Sequence, residues 1–550
     1  MSRVPILYPP IRTNESRREV LTSVDEALWS WFHVRVCAVA GVGFFTDAYD
    51  LFAINIASFM LHYVYNTSQA ADLGLKVSRV RSLFGQILFG WLADALGRKR
   101  MYYSVILTSL QLCLMILGSL AQAVSGRGEA VSLIGVLIMW RFVMGVGVGG
   151  DYPSSAVISS EFAPTRTRGR IMTAVFATQG LGNFAASAVA CIVVAAFGSS
   201  IRGESPNLPH EKSHVDFCWR LIIGLGCVPG AIALYFRLTI SETPRFTIDV
   251  LQNVNQAMRD VNELIGRDED AYEVQPDAPI ERLQAPNASG RDFFEYFARW
   301  NNLRILLGAA YSWFALDVAF YGLGLNSSVV IDTIFKCHSN TSGQDKNPYE
   351  TLMHIAEGNV IVSVAGLIPG YVLAFCFIDR WGRKPMQLMG FIVSSILFFI
   401  MGGLYQSSDS YSVSQPSRSQ SLKIAFAVFY CLAELFQNFG PNTTTFIIPG
   451  EVFPTRYRST AYGVCAAAGK TGAIIAQAIF FALDNNKSED TIQRCDVWVL
   501  GGFMATGIFS TLLLPETMGK SLEENSNEDQ RFFRPRPNGR HRNTDSVSSI

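Results

Sequence analysis

Twelve apolar runs divide the sequence, near 35–63, 82–96, 101–124, 131–158, 169–198, 217–238, 303–331, 355–378, 385–405, 422–449, 458–484 and 496–515. Most approach or exceed the roughly 20 residues that carry a helix across a bilayer. A chain with so many such runs folds as an all-α membrane protein, because a helix satisfies its own backbone polar groups in hydrocarbon. Charged residues are 16% of the 550 and the mean hydropathy is +0.23, against roughly 25% charge in a soluble domain. The formal net charge of zero leaves no global basic face for nucleic acid. The lipid bilayer is the expected surrounding.

The ten cysteines are scattered, without CxxC pairs or metal-ligand spacing, and no metal or other cofactor is expected. Cys337 and Cys495 fall in loops on one side and are a candidate pair. The first twenty residues carry no apolar core after a basic start, so no cleavable signal peptide is expected.

A polar, charged stretch at 239–302 splits the runs into six plus six. The expected organisation is an N-terminal tail (1–34), a six-helix bundle (35–238), a central loop (239–302), a second six-helix bundle (303–515) and a C-terminal tail (516–550). Arginine and lysine cluster after runs 2, 4, 8 and 10: Arg98, Lys99 and Arg100; Arg166, Arg168 and Arg170; Arg380, Arg383 and Lys384; Arg456 and Arg458. The bias of short cytoplasmic loops toward these residues puts that side, both tails and the central loop in the cytoplasm. The N-x-S/T sequons at Asn66, Asn340 and Asn486 fall on the opposite side and are glycosylation candidates. Asn287, in the central loop, is expected to stay bare. Sequons that need a secretory route make the plasma membrane the expected location.

Two motifs recur once per half in the same order. DALGRK (94–99) matches DRWGRK (379–384), and EFAPTRTRG (161–169) matches EVFPTRYRS (451–459), at offsets of 285 and 290. Two such echoes at a common offset imply two bundles related by a pseudo-twofold axis along the membrane normal, with substrate bound between them and access alternating as they rock. The charged motifs read either as interfacial anchors or as a conformational latch. In the latch reading Asp94 and Asp379 hold arginines of a neighbouring helix end, Glu161 pairs with Arg166 and Glu451 with Arg456, and Arg98 and Arg383 belong to the same set. Twelve spans, two halves and Gly90-x-x-x-Asp94-x-x-Gly97-Arg98-Lys99-Arg100 resemble the major facilitator superfamily.

A charge at bilayer centre costs about 2.5–3.5 kcal/mol on insertion scales, so each one asks for a reason. Span 1 holds Asp47 and Asp50, one turn apart on one helical face. Span 4 holds Asp151 and Tyr152 after glycines 145, 147, 149 and 150, which read as close helix packing. Span 5 holds Gln179. Span 7 holds Trp313, Asp317 and Tyr321 at i, i+4, i+8. Span 10 holds Glu434, Gln437 and Asn442, and span 11 holds Lys470. Several acids and one lysine suggest an anionic substrate coupled to protons. Lys470 can pair an anion and Asp317, while Asn442, Gln179, Tyr152 and Trp313 can donate hydrogen bonds. A carboxylate beside an anion repels it unless the carboxylate holds a proton, which links the two. Asp47, Asp50 and Asp151 make a proton relay. The bland alternatives are packing for Trp313 and Tyr321, a helix–helix hydrogen bond for Gln179, and structural roles for Glu434 and Gln437.

FFTDAYDLF, GGDYPSSAVISSEFAPTRTRGR, AVFATQGLGN, WFALDVAFYGLGLN, NFGPNTTTFIIPGEVFPTRYRSTAYG and AAAGKTGAI are similar to segments of the fungal and plant proton-coupled inorganic phosphate permeases. The resemblance runs over all twelve spans. It implies that Tyr152, Gln179, Trp313, Asp317, Tyr321, Asn442 and Lys470 hold phosphate, and that Asp47, Asp50 and Asp151 move protons. A permease for another oxyanion or a phosphate ester, and a phosphate sensor, are the alternatives; bulky Trp313, Tyr321 and Tyr152 argue against a large ester. An enzyme is not expected. No nucleophile–base set occurs, and GVGVGG (145–150) lies inside a span and lacks the Lys-Ser/Thr of a nucleotide loop.

Span 2 departs from this pattern. KVSRVRSLFGQILFG places Arg79 and Arg81 before an apolar part of only fifteen residues or so (82–96). Three readings stand: arginines snorkelling from a short, tilted helix, a positive vestibule for anions, or a misjoined gene model.

Overall fold

The computed structural model describes residues 31–67, 74, 80–96, 102–128, 131–201, 209–237, 290–325, 327, 331, 348–411, 416–484 and 489–526. Every expected span is a helix. Spans 1 to 5 are Trp31–Tyr65, Val80–Leu96, Tyr102–Val124, Leu133–Phe162 and Arg168–Ala196. Span 6 is Pro209–Gly224 continued by Cys227–Arg237, and span 7 is Trp300–Gly324. Span 8 runs from Pro348–Val362 through the turn Ser363–Leu367 to Ile368–Trp381, and span 9 is Arg383–Tyr411. Span 10 runs from Pro416–Gln437 through Asn438–Asn442 to Thr443–Val452. Spans 11 and 12 are Arg458–Asp484 and Glu489–Leu512.

Among the described residues nine helices are long and apolar enough to cross a membrane, with shorter apolar helices at Ser109–Val124 and Val497–Leu512. Span 2, with 17 helical residues, is about 26 Å long at 1.5 Å per residue. That is just short of the roughly 30 Å hydrocarbon core. Arg79 and the Arg81 side chain lie outside the described residues, as do Arg98, Asn287, Asn340, Asn486, Cys337 and the Cys495 side chain.

Spans 8 and 10 each widen into a π-helical turn. In span 10 the cause is local: Pro441 has no N–H to give and its ring crowds the preceding turn, and Gly440 takes φ −111°, ψ −106°. Such bulges recur at functional sites. Here the bulge lies at Asn442.

Two seams join the halves. Span 2 packs on span 11, and span 5 on span 8. The pairs exchange under the repeat, as a pseudo-twofold axis requires. The first seam is a backbone-to-backbone crossing. A Cβ at Gly90 would stand 2.6 Å from the Ser459 carbonyl oxygen, and one at Gly463 would run into the Gln86 carbonyl. Gly463→Val is therefore expected to separate the two helices and destabilise the protein by about 1–3 kcal/mol. Thermal melts of the detergent-purified protein check this, and a melting temperature unchanged from wild type would contradict the crossing.

Candidate functional site

Lys470 lies at the centre of the molecule, where spans 1 and 4 of one half face spans 7 and 11 of the other. It is 6% exposed. Its Nζ donates to the Tyr321 hydroxyl at 2.6 Å and lies 3.7 Å from Asp317 Oδ2. It also stands over two rings, 4.3 Å from the Tyr321 centroid and 4.9 Å from that of Tyr152. The Tyr152 hydroxyl in turn donates to Asp47 Oδ2 at 3.2 Å. One ammonium thus meets groups from both halves, each buried. Trp313 completes the group: its ring lies 6.4 Å from that of Tyr152 and 5.5 Å from that of Tyr462. The i, i+4, i+8 spacing of Trp313, Asp317 and Tyr321 does put all three on the face toward span 11. Gly469 lets them close in, since a Cβ there would sit 2.6 Å from the indole.

A cavity of about 50 Å³ opens beside this group, lined by Asp47, Arg141, Tyr321, Lys470 and Gln477 among others. At roughly 10–15 Å³ per water-sized sphere it has room for a few heavy atoms. Arg141, 4% exposed, is not among the candidates drawn from sequence; its signal there is a charge inside run 4. Aromatic side chains shut the other side. Phe44 packs edge-on against Tyr152, Phe176 and Phe446, at 4.8, 5.5 and 5.2 Å, and Phe176 stacks on Phe446 at 4.5 Å.

The remaining candidates fall into separate environments. Asn442 donates to the Tyr371 hydroxyl at 3.0 Å and to Asn438 Oδ1 at 2.7 Å. Gln179 is 3% exposed and its Oε1 has no hydrogen-bond partner; its neighbour Gly180 lies against the Tyr371 ring. Tyr371, absent from the sequence inventory, therefore stands at the span 5–span 8 seam between them. Asp50 points away from Lys470. It accepts from Ser119 Oγ at 2.6 Å, and its other oxygen faces Gly226 of span 6. Asp151 is buried and accepts from Ser155 Oγ at 3.3 Å on its own helix.

The repeated charged motifs meet at one end of the molecule, in two symmetry-related arrangements. Asp94, closing span 2, accepts from Thr460 N at 2.7 Å and Thr460 Oγ1 at 2.6 Å, at the start of span 11. Asp379, closing span 8, accepts from Gly169 N at 3.2 Å and Arg170 N at 2.9 Å, at the start of span 5. Each carboxylate thus caps a helix N-terminus of the opposite half, where unsatisfied N–H groups favour an anion. Gly169 is required, because a Cβ would collide with Asp379.

The pairings differ from those expected. Glu161 is bound by Arg458 at 3.2 Å, not by Arg166, which is exposed. Glu451 is bound by Arg383 at 2.8 Å, while Arg456 reaches Asp292 at 2.8 Å. Arg166 is exposed, and the arginine that reaches Glu161 comes from the opposite half: Arg458, two residues past Arg456 at the start of span 11. Arg383 also pairs with Asp379 at 2.9 Å. The chain after span 12 joins this end. Glu516 accepts from Arg383 N and Lys384 N at 3.1 and 3.0 Å, Thr517 Oγ1 donates to Glu451, and Arg168 donates to the Lys520 carbonyl at 3.1 Å.

At the opposite end Asn55 of span 1 donates to Ser327 Oγ at 2.7 Å, and Ser327 donates to Asn359 of span 8 at 2.8 Å. Asn66, at the end of span 1, is exposed with φ 51°.

Residues 36–528 match the family described as sugar (and other) transporter. The chain is 41% identical to the repressible high-affinity phosphate permease of Neurospora crassa, over 94% of this chain and 90% of that one. It is 42% identical to the inorganic phosphate transporter PHO84 of Saccharomyces cerevisiae, over 93% and 87%. Among solved structures, the major facilitator proton:xylose symporter XylE has the same fold, with a TM-score of 0.63 at 18% identity over 90% of this chain and 98% of that one.

Proposed function

This chain belongs to the sugar (and other) transporter family, and on that premise we propose that it imports inorganic phosphate by symport with protons. Relatives named as phosphate permeases over nine-tenths of the chain support the substrate. The observation that carries the reading is the Lys470 group. A buried ammonium held by Tyr321 and Asp317, beside Tyr152 bonded to Asp47, offers one positive charge and several polar groups to a small tetrahedral anion. Trp313 flanks it, and Gln179 and Asn442 contribute from the span 5–span 8 seam as the halves move. The cavity of about 50 Å³ suits phosphate better than an ester with an organic arm.

Proton coupling follows from charge. An anion next to Lys470 also lies next to Asp317 and Asp47, and repulsion is relieved when a carboxylate takes up a proton. Asp47 is the carboxylate bonded to the site through Tyr152; Asp50 and Asp151 extend the path within the first half. The charged end is the cytoplasmic latch, closed here by Asp94, Glu161, Asp379, Arg383, Glu451 and Arg458. Arginines and lysines gathered there, and the exposed Asn66 sequon at the other end, support cytoplasmic termini and a surface membrane.

The test is uptake of labelled phosphate at pH 5 and pH 8 in cells lacking their own phosphate permeases. Uptake is expected to be several-fold faster at pH 5, to collapse with a protonophore, and to be lost in Asp317→Asn. Surface-expressed protein whose uptake ignores pH and protonophore would sink the symport reading.

A further inference from the structure

One buried acid has no place in the scheme above. Glu434 lies midway along span 10 and is 2% exposed. Its Oε2 has no hydrogen-bond partner, and it forms no ion pair with any described residue. One turn on, neither polar atom of the Gln437 amide has a partner. The facing wall is the π-helical turn of span 8. There Gly366 offers no side chain, and a Cβ on it would stand 2.9 Å from Glu434 Cβ. The titratable groups around the carboxyl are Tyr371 of span 8 and Tyr430 and Cys431 of its own helix, all uncharged at neutral pH. An ionised carboxylate at mid-bilayer with no partner is costly and marks a functional group by default; the form this pocket tolerates is the neutral acid.

Glu434 is also connected to the central seam. Asn438 donates to the Glu434 carbonyl at 2.7 Å and accepts from Asn442 at 2.7 Å, and Asn442 donates to Tyr371. Tyr371 packs against Gly180 and Phe176 of the opposite half. A movement that parts spans 5 and 8 therefore pulls on the turn that carries Glu434.

We propose that Glu434 is a second proton-carrying group, housed in the C-terminal half and separate from the aspartates of spans 1 and 4. When the seam opens and water reaches the carboxyl, its O–H bond breaks, the proton passes to water on that side, and a hydrated carboxylate remains. The carboxylate takes a proton from the other side before the seam closes over it again. This inference rests on the symport reading.

Protons moved per phosphate are measured in proteoliposomes, from the pH gradient and voltage at which net flux vanishes, for wild type, Glu434→Gln and Glu434→Asp. Glu434→Gln is expected to carry one proton fewer per phosphate and to flatten the pH profile, while Glu434→Asp keeps the wild-type ratio. A wild-type ratio in Glu434→Gln overturns this inference alone. Wild type that moves phosphate without protons overturns the symport reading and this inference with it. A measurement on wild type needs no variant to fold: carbodiimide labelling of protonated carboxyls, mapped by mass spectrometry. Labelling of Glu434 that declines from pH 6 to pH 9 supports the proposal, and an unlabelled or pH-independent Glu434 overturns it.

Discussion

Lys470→Met is expected to lower phosphate uptake by at least a hundredfold at equal surface expression. The ammonium is the centre of a buried group that includes Tyr321, Asp317 and, through Tyr152, Asp47. Without the ammonium an incoming anion meets Asp317 and Asp47 uncompensated by Lys470, and truncating one partner of a buried, hydrogen-bonded charge pair costs about 2–5 kcal/mol of binding. Each 1.4 kcal/mol is about tenfold in binding, so a loss of about 3 kcal/mol, within that range, lowers anion affinity by about two powers of ten. Lys470→Arg is expected to recover little. A planar guanidinium does not replace a compact ammonium in a site where Nζ stands over two tyrosine rings and meets a hydroxyl at 2.6 Å. Initial rates of labelled phosphate uptake, normalised to surface protein, decide it. Near-wild-type uptake by Lys470→Met would place the anion elsewhere.

Arg383→Ala is expected to open the charged end and shift the protein toward the conformation that faces that side. Arg383 is 1% exposed and bridges Asp379 and Glu451 at 2.9 and 2.8 Å. Its loss leaves two buried carboxylates facing each other, again about 3–5 kcal/mol. One of them, Asp379, also caps span 5 of the opposite half. The shift is read at Cys465, fully buried on span 11. Its alkylation, mapped by mass spectrometry, is expected to rise at least tenfold in Arg383→Ala, with slower net transport. Arg383→Lys is expected to restore protection only in part, because a point charge cannot serve both carboxylates as the guanidinium fork does. Unchanged Cys465 reactivity would mean that Arg383 is an anchor and not a latch.

The inner partners are the part least legible in the chain alone. Glu161 and Arg166 sit close in sequence, and proximity points to a pair. The contact made is with Arg458, 297 residues away. Spacing tells which residues share a helical face, but not which face of another helix they meet. The same reason hid Tyr371, an ordinary aromatic in run 8 until span 5 packs against it. Asp50 and Asp47 share a face one turn apart, yet the first meets Ser119 of span 3 and the second the Tyr152 hydroxyl of span 4.

What the sequence determined by itself was the membrane class, the count of helices and the two-fold repeat. Hydrocarbon admits few backbone solutions, and a repeated motif at a common offset needs no coordinates to be seen. It also singled out most of the buried charged residues, because a charge in an apolar run stands out wherever it ends up pointing. The tertiary structure decided their partners. It brought Lys470 to Tyr321, Asp317 and the Tyr152 ring, drew Arg141 into the cavity, set Asp94 and Asp379 on the helix starts of opposite halves, and left Glu434 with no ion-pair partner among the described residues. Those choices depend on how twelve helices lean on one another, which is a property of packing between distant segments and not of any one of them.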